Sequence, residues 1–294
     1  MIEILSISLE KGCVRMGKWE SNGGRCAFIG GGNMGGAIIR GLISCGSLAP
    51  DRITVCCKHP DKYPAFRALG VQTAGTIAEA IEGADFLFLC VKPGTIREVV
   101  EQCVQAPGYR ADMVFISVAA SVPISLICEA AGREVPVIRT MPSTPITVGE
   151  GTVALCQNAC VPKWVFETVC RLFSSIATIS VLEESQLNAI ISVNGSSPAY
   201  VYLFIKAMLD GAAEQGISAE QALPLLLRTV IGAAKMVEQA DCSIEELIRR
   251  VCSPNGTTLA AMRVFEEADF VGIVSRAMDA CTKRADEISA SLQA

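Results

Sequence analysis

From Cys26 onward, short unbroken apolar runs alternate with longer stretches in which apolar residues return every three or four positions. Cys26 to Ile29 is the first run; glycines then occupy positions 30, 31, 32, 35 and 36, and a helical pattern resumes through Ile38, Ile39 and Leu42. Arg52 to Cys57 is β-branched and predicts a second strand, Gly70 to Thr73 a short third, and Thr76 to Gly83 a helix with Glu79 and Glu82 outward. Phe86 to Val91 and Met113 to Val118 are apolar throughout, the pattern of parallel strands buried on both faces. Val135 to Ile138 predicts a sixth strand, followed by a stiff loop, Arg139 to Pro145; Gly151 to Cys156 and Ala177 to Val181 add two more strands. Such alternation gives an α/β architecture with a doubly wound parallel sheet.

The pattern changes near Glu183. Helical periodicity then runs through Glu184–Asn194, Ala199–Gln215, Ala219–Gln239, Ile244–Val251 and Leu259–Ala290, with Pro198 expected to break or kink the first stretch and Ser218 placed as an N-cap. Apolar residues on several faces of these helices predict an all-α dimerisation domain. The expected division is an N-terminal extension over 1–25, a dinucleotide-binding domain over 26–182 and a helical domain over 183–294. The leading segment does not share the later periodicity and lacks a cleavage site; Met16 is an alternative start. Residues 185–205 lack charge for about the length of a membrane span, but Gln186, Asn188 and Asn194 make them too polar to insert.

Composition narrows the chemistry. The chain has 294 residues and a net charge of -5, with no basic run, which argues against nucleic acid as a partner. Its 14 cysteines are scattered through apolar runs, as at Cys90, Cys103, Cys128 and Cys170, and act there as small hydrophobes in a reducing cytoplasm. With His59 the single histidine and no CxxC pair, no metal site is expected.

The glycines carry the first chemical signal. Gly30-x-Gly32-x-x-Gly35, between a strand and a helix, has the dinucleotide fingerprint spacing of a Rossmann-type fold: a tight turn, a close backbone approach to pyrophosphate, and close helix packing. An NAD site places an acid at the end of the second strand; here Cys57-Lys58-His59 stands there, with no acid before Asp61, so NADPH is favoured and NADH is the alternative. Lys92-Pro93 and the small residues Ala119, Ala120 and Ser121 end later strands, where ligands of open α/β sheets bind. Ser253 to Thr258 is the second signal, either an anion nest at a helix N-terminus or an ordinary turn with Thr258 as N-cap.

Several segments together resemble the pyrroline-5-carboxylate reductases: Phe28-Ile-Gly-x-Gly-Asn-Met34, Val91-Lys92-Pro93, Ser117-Val-Ala-Ala120, Arg139-Thr-Met-Pro142, Asn194-Gly-Ser-Ser-Pro-Ala-Tyr200 and Ser253-Pro-x-Gly-Thr-Thr258. The resemblance runs from about Ala27 to Ile288. It implies reduction of the cyclic imine 1-pyrroline-5-carboxylate to L-proline by a nicotinamide cofactor. It further implies that Ile29, Gly30, Gly31, Gly32, Asn33, Met34 and Gly35 hold the pyrophosphate end, with Lys58 where many members carry arginine. Val91, Lys92, Pro93, Ala119 and Ala120 would line the nicotinamide and its ribose. Asn255, Gly256, Thr257 and Thr258 would take the substrate carboxylate, with Thr258 also at the ring nitrogen as the catalytic contact and Glu184 beside the substrate. Members form dimers through the C-terminal helices, and the dimers often assemble into decamers. The chain departs from the family pattern at Asn188 (for Asp), Ile191 (for Thr), Asn194 and Ser197 (for Ser and Gly), Ser143 (for Asn), and Ser121 and Asn255 (each for Gly). Two other readings stay open: a related imine or β-hydroxyacid reductase with another substrate, and a non-catalytic paralogue that only binds the cofactor.

Overall fold

The computed structural model describes residues 24–293; the readings made for the leading segment, Met16 included, fall on positions outside the described residues. Eight strands, β1 (Cys26–Ile29), β2 (Ile53–Cys56), β3 (Gln72–Ala74), β4 (Phe86–Leu89), β5 (Val114–Ser117), β6 (Val137–Pro142), β7 (Gly151–Gln157) and β8 (Ala177–Val181), form one sheet in the spatial order β3-β2-β1-β4-β5-β6-β7-β8. Between them lie α1 (Asn33–Ser44), α2 (Tyr63–Arg67), α3 (Ile77–Ile81), α4 (Ile96–Gln105), α5 (Ile124–Ala131) and α6 (Lys163–Ser174). Cys26 and Phe28 enter one core and Ala27 and Ile29 the other; β4 repeats this with Phe86 and Phe88 against Leu87 and Leu89. Both faces are covered, α1, α2 and α6 on the first and α3, α4 and α5 on the second, so the central strands must be apolar at every position. Phe28 and Phe88 stack across β1 and β4 with centroids 4.2 Å apart. Burial pushes the Cys103 and Cys156 thiols up to about 12, so they behave as neutral hydrophobes.

The sheet differs from the expectation in two places. The third strand begins at Gln72, because Gly70 turns the chain with φ +79°. The sixth strand does not stop at Ile138 but runs through the expected stiff loop to Pro142, where it pairs antiparallel with β7 from Ile138↔Gln157 to Pro142↔Val153. A tight 3-10 turn over Thr144–Val148 joins the two strands without a crossover helix, so the chain reverses. The sheet is therefore mostly parallel with one antiparallel pair.

After β8 the chain is helical: α7 (Ser197–Glu214), α8 (Ala219–Glu238), α9 (Ile244–Val251), α10 (Thr257–Glu267) and α11 (Phe270–Gln293). The stretch expected as one helix over Glu184–Asn194 is instead a 3-10 turn, Glu184–Gln186, followed by a π turn, Ile191–Gly195, in which the Ser196 N–H donates to the Ile191 carbonyl at 2.7 Å. Pro198 sits in the first turn of α7, where its missing N–H breaks no helical bond. Leu259–Ala290 is two helices, because Asp269 takes a left-handed φ of 52° and its Oδ1 accepts from the Gly272 N–H at 3.2 Å. Ser218 caps α8 as expected, its Oγ accepting from the Gln221 N–H at 3.3 Å.

None of α7, α8, α9 and α10 contains a buried residue, and α11 buries only Ala285. Leu203, Leu225 and Val271 are 67%, 72% and 81% exposed. Helices this apolar, left uncovered by their own chain, need a partner surface. Among the described residues no helix is long and apolar enough to cross a membrane.

Candidate active site

The chain leaves β1 for β2 on one side, yet β4 lies against the other side of β1, so strand order reverses at that seam. Ligands of open α/β sheets bind in the crevice beyond such a reversal. Here the Gly30 N–H donates to the Cys56 carbonyl and the Cys90 N–H to the Ile29 carbonyl, both at 2.8 Å, tying three strand ends together. Gly30 has φ +109°, and a Cβ there would stand 2.4 Å from the Cys90 oxygen. A Cβ on Gly35 would stand 2.5 Å from the Gly30 oxygen, so α1 packs on the turn with no room for a methyl group. Gly32 is different: nothing lies within 4 Å of its Cβ position, and it is the N-cap of α1 with no side chain capping the helix. The first N–H groups of α1 thus face open space beside a residue without a side chain, a cradle that fits a pyrophosphate.

At the end of β2 the Tyr63 hydroxyl accepts from the Cys57 N–H at 3.1 Å and donates to the Ala74 carbonyl at 2.6 Å. This buried hydroxyl fixes the turn that carries Lys58, which is exposed and makes no ion pair among the described residues. At the end of β4, Val91 and Pro93 are half-buried and Lys92 is exposed. Beyond β5, Ala119 is buried and Ala120 half-buried; the Val118 N–H donates to the Leu89 carbonyl at 3.2 Å, and Thr140 Oγ1 donates to the Ser117 carbonyl at 2.9 Å. The proposed cofactor residues therefore share the carboxyl ends of four adjacent strands.

A polar cluster missed in the sequence joins this sheet to the helices. Arg139 is 5% exposed; one guanidinium nitrogen donates to Glu184 Oε1 at 3.3 Å and another to Asn188 Oδ1 at 2.6 Å. Glu184 Oε1 also accepts from the Ile124 N–H at the start of α5, at 2.7 Å, so this oxygen is engaged within the chain. Asn188 Nδ2 donates to Asp286 Oδ1 at 2.8 Å and to Ser289 Oγ at 3.0 Å, both on α11. An aspartate at 188 would set a second carboxylate against Asp286, and the amide avoids that repulsion. The charge at Arg139, between Ile138 and Thr140, is the sequence signal for this cluster on the sheet side.

The second feature, Ser253 to Thr258, forms a turn in which the Gly256 N–H donates to the Ser253 carbonyl at 3.0 Å and Asn255 takes φ 57°. Helix α10 starts at Thr257, with Gly256 and not Thr258 as N-cap, and no side chain caps it. A Cβ on Gly256 would stand 2.2 Å from Ser253 Oγ. Thr258 lines an apolar cavity of about 310 Å³ with Val237 and Ile248. Among the described residues no hydrogen bond joins this turn to the fingerprint end of the sheet.

Fold and crevice define a dinucleotide-binding oxidoreductase. Residues 25–121 match the family model described as NADP oxidoreductase, coenzyme F420-dependent, and residues 184–288 match pyrroline-5-carboxylate reductase dimerisation. The pyrroline-5-carboxylate reductase of Escherichia coli (strain K12) is 36% identical over 268 residues, 91% of this chain and 99% of that protein. The solved reductase from Coxiella burnetii superposes with a TM-score of 0.83 at 32% identity, covering 90% of this chain and 98% of that one. The Plasmodium falciparum enzyme, solved with NADP bound, gives 0.83 at 25% identity over 91% and 99%. The chain belongs to the pyrroline-5-carboxylate reductase family, and it self-associates through its dimerisation region.

Proposed function

We propose that this protein reduces 1-pyrroline-5-carboxylate to L-proline with NADPH. The observation that carries the reading is the open cradle at Gly32, walled by Gly30 and Gly35, in a chain that also keeps the uncapped Gly256-Thr257-Thr258 turn. NADPH, when bound, supplies a hydride from its nicotinamide ring. Residues 29–35 hold the pyrophosphate, Lys58 faces the 2′-phosphate, and Val91, Lys92, Pro93, Ala119 and Ala120 shape the ring pocket. The N–H groups of Thr257 and Thr258 at the uncapped start of α10 take the substrate carboxylate, with Gly256 and Asn255 setting the turn. The Thr258 hydroxyl holds the ring nitrogen, and Glu184 acts by fixing Arg139 and the start of α5 beside the substrate.

A ring imine is basic enough to carry its own proton, so positioning, not a strong general acid, supplies most of the catalysis. The turn lies within the region that matches a dimerisation model, on helices whose apolar faces their own chain leaves uncovered, so the turn from a second copy completes the pocket. The working unit is a dimer, dimers group into decamers, and the domain division lies at 182/183. The free thiols suit a reducing cytoplasm.

The test is NADPH oxidation by the purified protein with pyrroline-5-carboxylate, beside NADPH binding without substrate. Turnover is expected. Binding without turnover would favour another imine or a regulatory paralogue. Thr258→Ala should lose about 1.5–3 kcal/mol of transition-state stabilisation, read as kcat/KM; an unchanged value would refute the placement of substrate.

A further inference from the structure

Ser121 follows Ala119 and Ala120 directly, and it is a buried serine with φ 63°, a backbone region that side chains other than glycine's disfavour. Something must hold that peptide. The Ser121 carbonyl accepts from Ser289 Oγ at 2.7 Å, across 168 positions of sequence. Ser289 also lies 3.1 Å from the Ala285 carbonyl of its own helix, so its single hydroxyl hydrogen has two acceptors to choose between.

Asn188 holds the other side of that hydroxyl. A guanidinium has donors only, so Arg139, 2.6 Å away, obliges the Asn188 amide to turn its oxygen toward it and its nitrogen toward α11. That nitrogen donates to Ser289 Oγ at 3.0 Å, so the hydroxyl accepts from Asn188 and keeps its hydrogen for a carbonyl, of which Ser121 is the nearer. Arg139, Asn188, Ser289 and the Ser121 peptide form one directional chain in which each bond polarises the next.

We propose that Ser289, oriented by Asn188, is a positioning residue that sets the 119–121 loop against the nicotinamide. The far end of α11 thereby ties the ring-facing loop to the helical domain. The proposal rests on the reading of Ala119 and Ala120 as ring contacts.

Kinetics and assembly of the full chain test it. Ser289→Ala should raise KM for NADPH and lower kcat, with a combined loss of about three- to tenfold in kcat/KM, the scale of one hydrogen bond. Sedimentation should show the same oligomer. Ser289→Thr, which keeps the hydroxyl, should return toward wild type. Asn188→Ala should reproduce the defect, and the double variant should be no worse than the poorer single one, because both cut the same chain. Wild-type kinetics in Ser289→Ala, no rescue by threonine, or additive losses would each overturn the proposal. Ala120→Leu separates the two readings: unchanged kinetics there would refute the ring contact itself, whereas a defect there with a silent Ser289→Ala would refute only the positioning role.

Discussion

Gly35 and Gly36 are neighbours in the first turns of α1, yet a methyl group on each would meet different matter. At Gly35 it would strike the Gly30 oxygen at 2.5 Å, and backbone cannot give way cheaply. At Gly36 it would meet the tip of the flexible Arg40 side chain at 3.2 Å. Gly35→Ala should therefore cost about 1–3 kcal/mol by overpacking and raise KM for NADPH at least several-fold. Gly36→Ala should be neutral or stabilising by up to about 1 kcal/mol through helix propensity, read from urea denaturation. At the end of β2, Lys58→Glu should move the NADPH/NADH preference toward NADH by about tenfold, roughly 1.4 kcal/mol; paired kinetics with the two cofactors check it. Ser121 and Asn255 both hold positive φ. Glycine adopts that backbone most easily, and asparagine more easily than serine, which gives a backbone reason for the glycine that the resemblance implies at each position.

Among the elements, β6 and α11 depend on one side chain between them. Asn188→Leu would leave an Arg139 nitrogen without its partner and should destabilise by about 1.5–3 kcal/mol. Asp286→Asn keeps an oxygen for the Asn188 amide and, at an exposed position, should cost less than about 1 kcal/mol. Thermal melts of the two variants distinguish these outcomes. The sequence made the strands of this sheet legible because two-sided burial writes unbroken apolar runs such as Phe86–Leu89. The fingerprint glycines were legible because only glycine satisfies such close approach. The polar cluster was not, because Arg139, Glu184, Asn188, Asp286 and Ser289 are ordinary residues far apart in the chain whose meeting is a property of packing. The reversal from β6 to β7 was hidden for a related reason: two prolines look like a loop, although Pro142 ends a strand at no cost to the ladder. The break at Asp269 was hidden by apolar spacing that continues across it.

At the scale of the whole molecule, the sheet holds its own core while the helices leave Leu203, Leu225 and Val271 in the open. Stability should then depend on protein concentration, with Tm falling on dilution as copies separate. Leu203→Glu combined with Val271→Glu should shift sedimentation toward the monomer and, on the proposal that a second copy completes the pocket, abolish turnover. A monomer with full activity would contradict that.

The last turn of α11 comes back to the sheet, with Leu292 packed against the core around Leu87 and Phe115, and Gln293 Nε2 donating to Ser125 Oγ at 2.9 Å. On the ribosome this has a kinetic meaning. Domains generally fold as units in the order they emerge, but here the first half of the chain gains an added apolar contact only when Leu292, far along the sequence, has been made. Nascent chains paused or truncated ahead of Leu292 should expose the apolar strip that it covers.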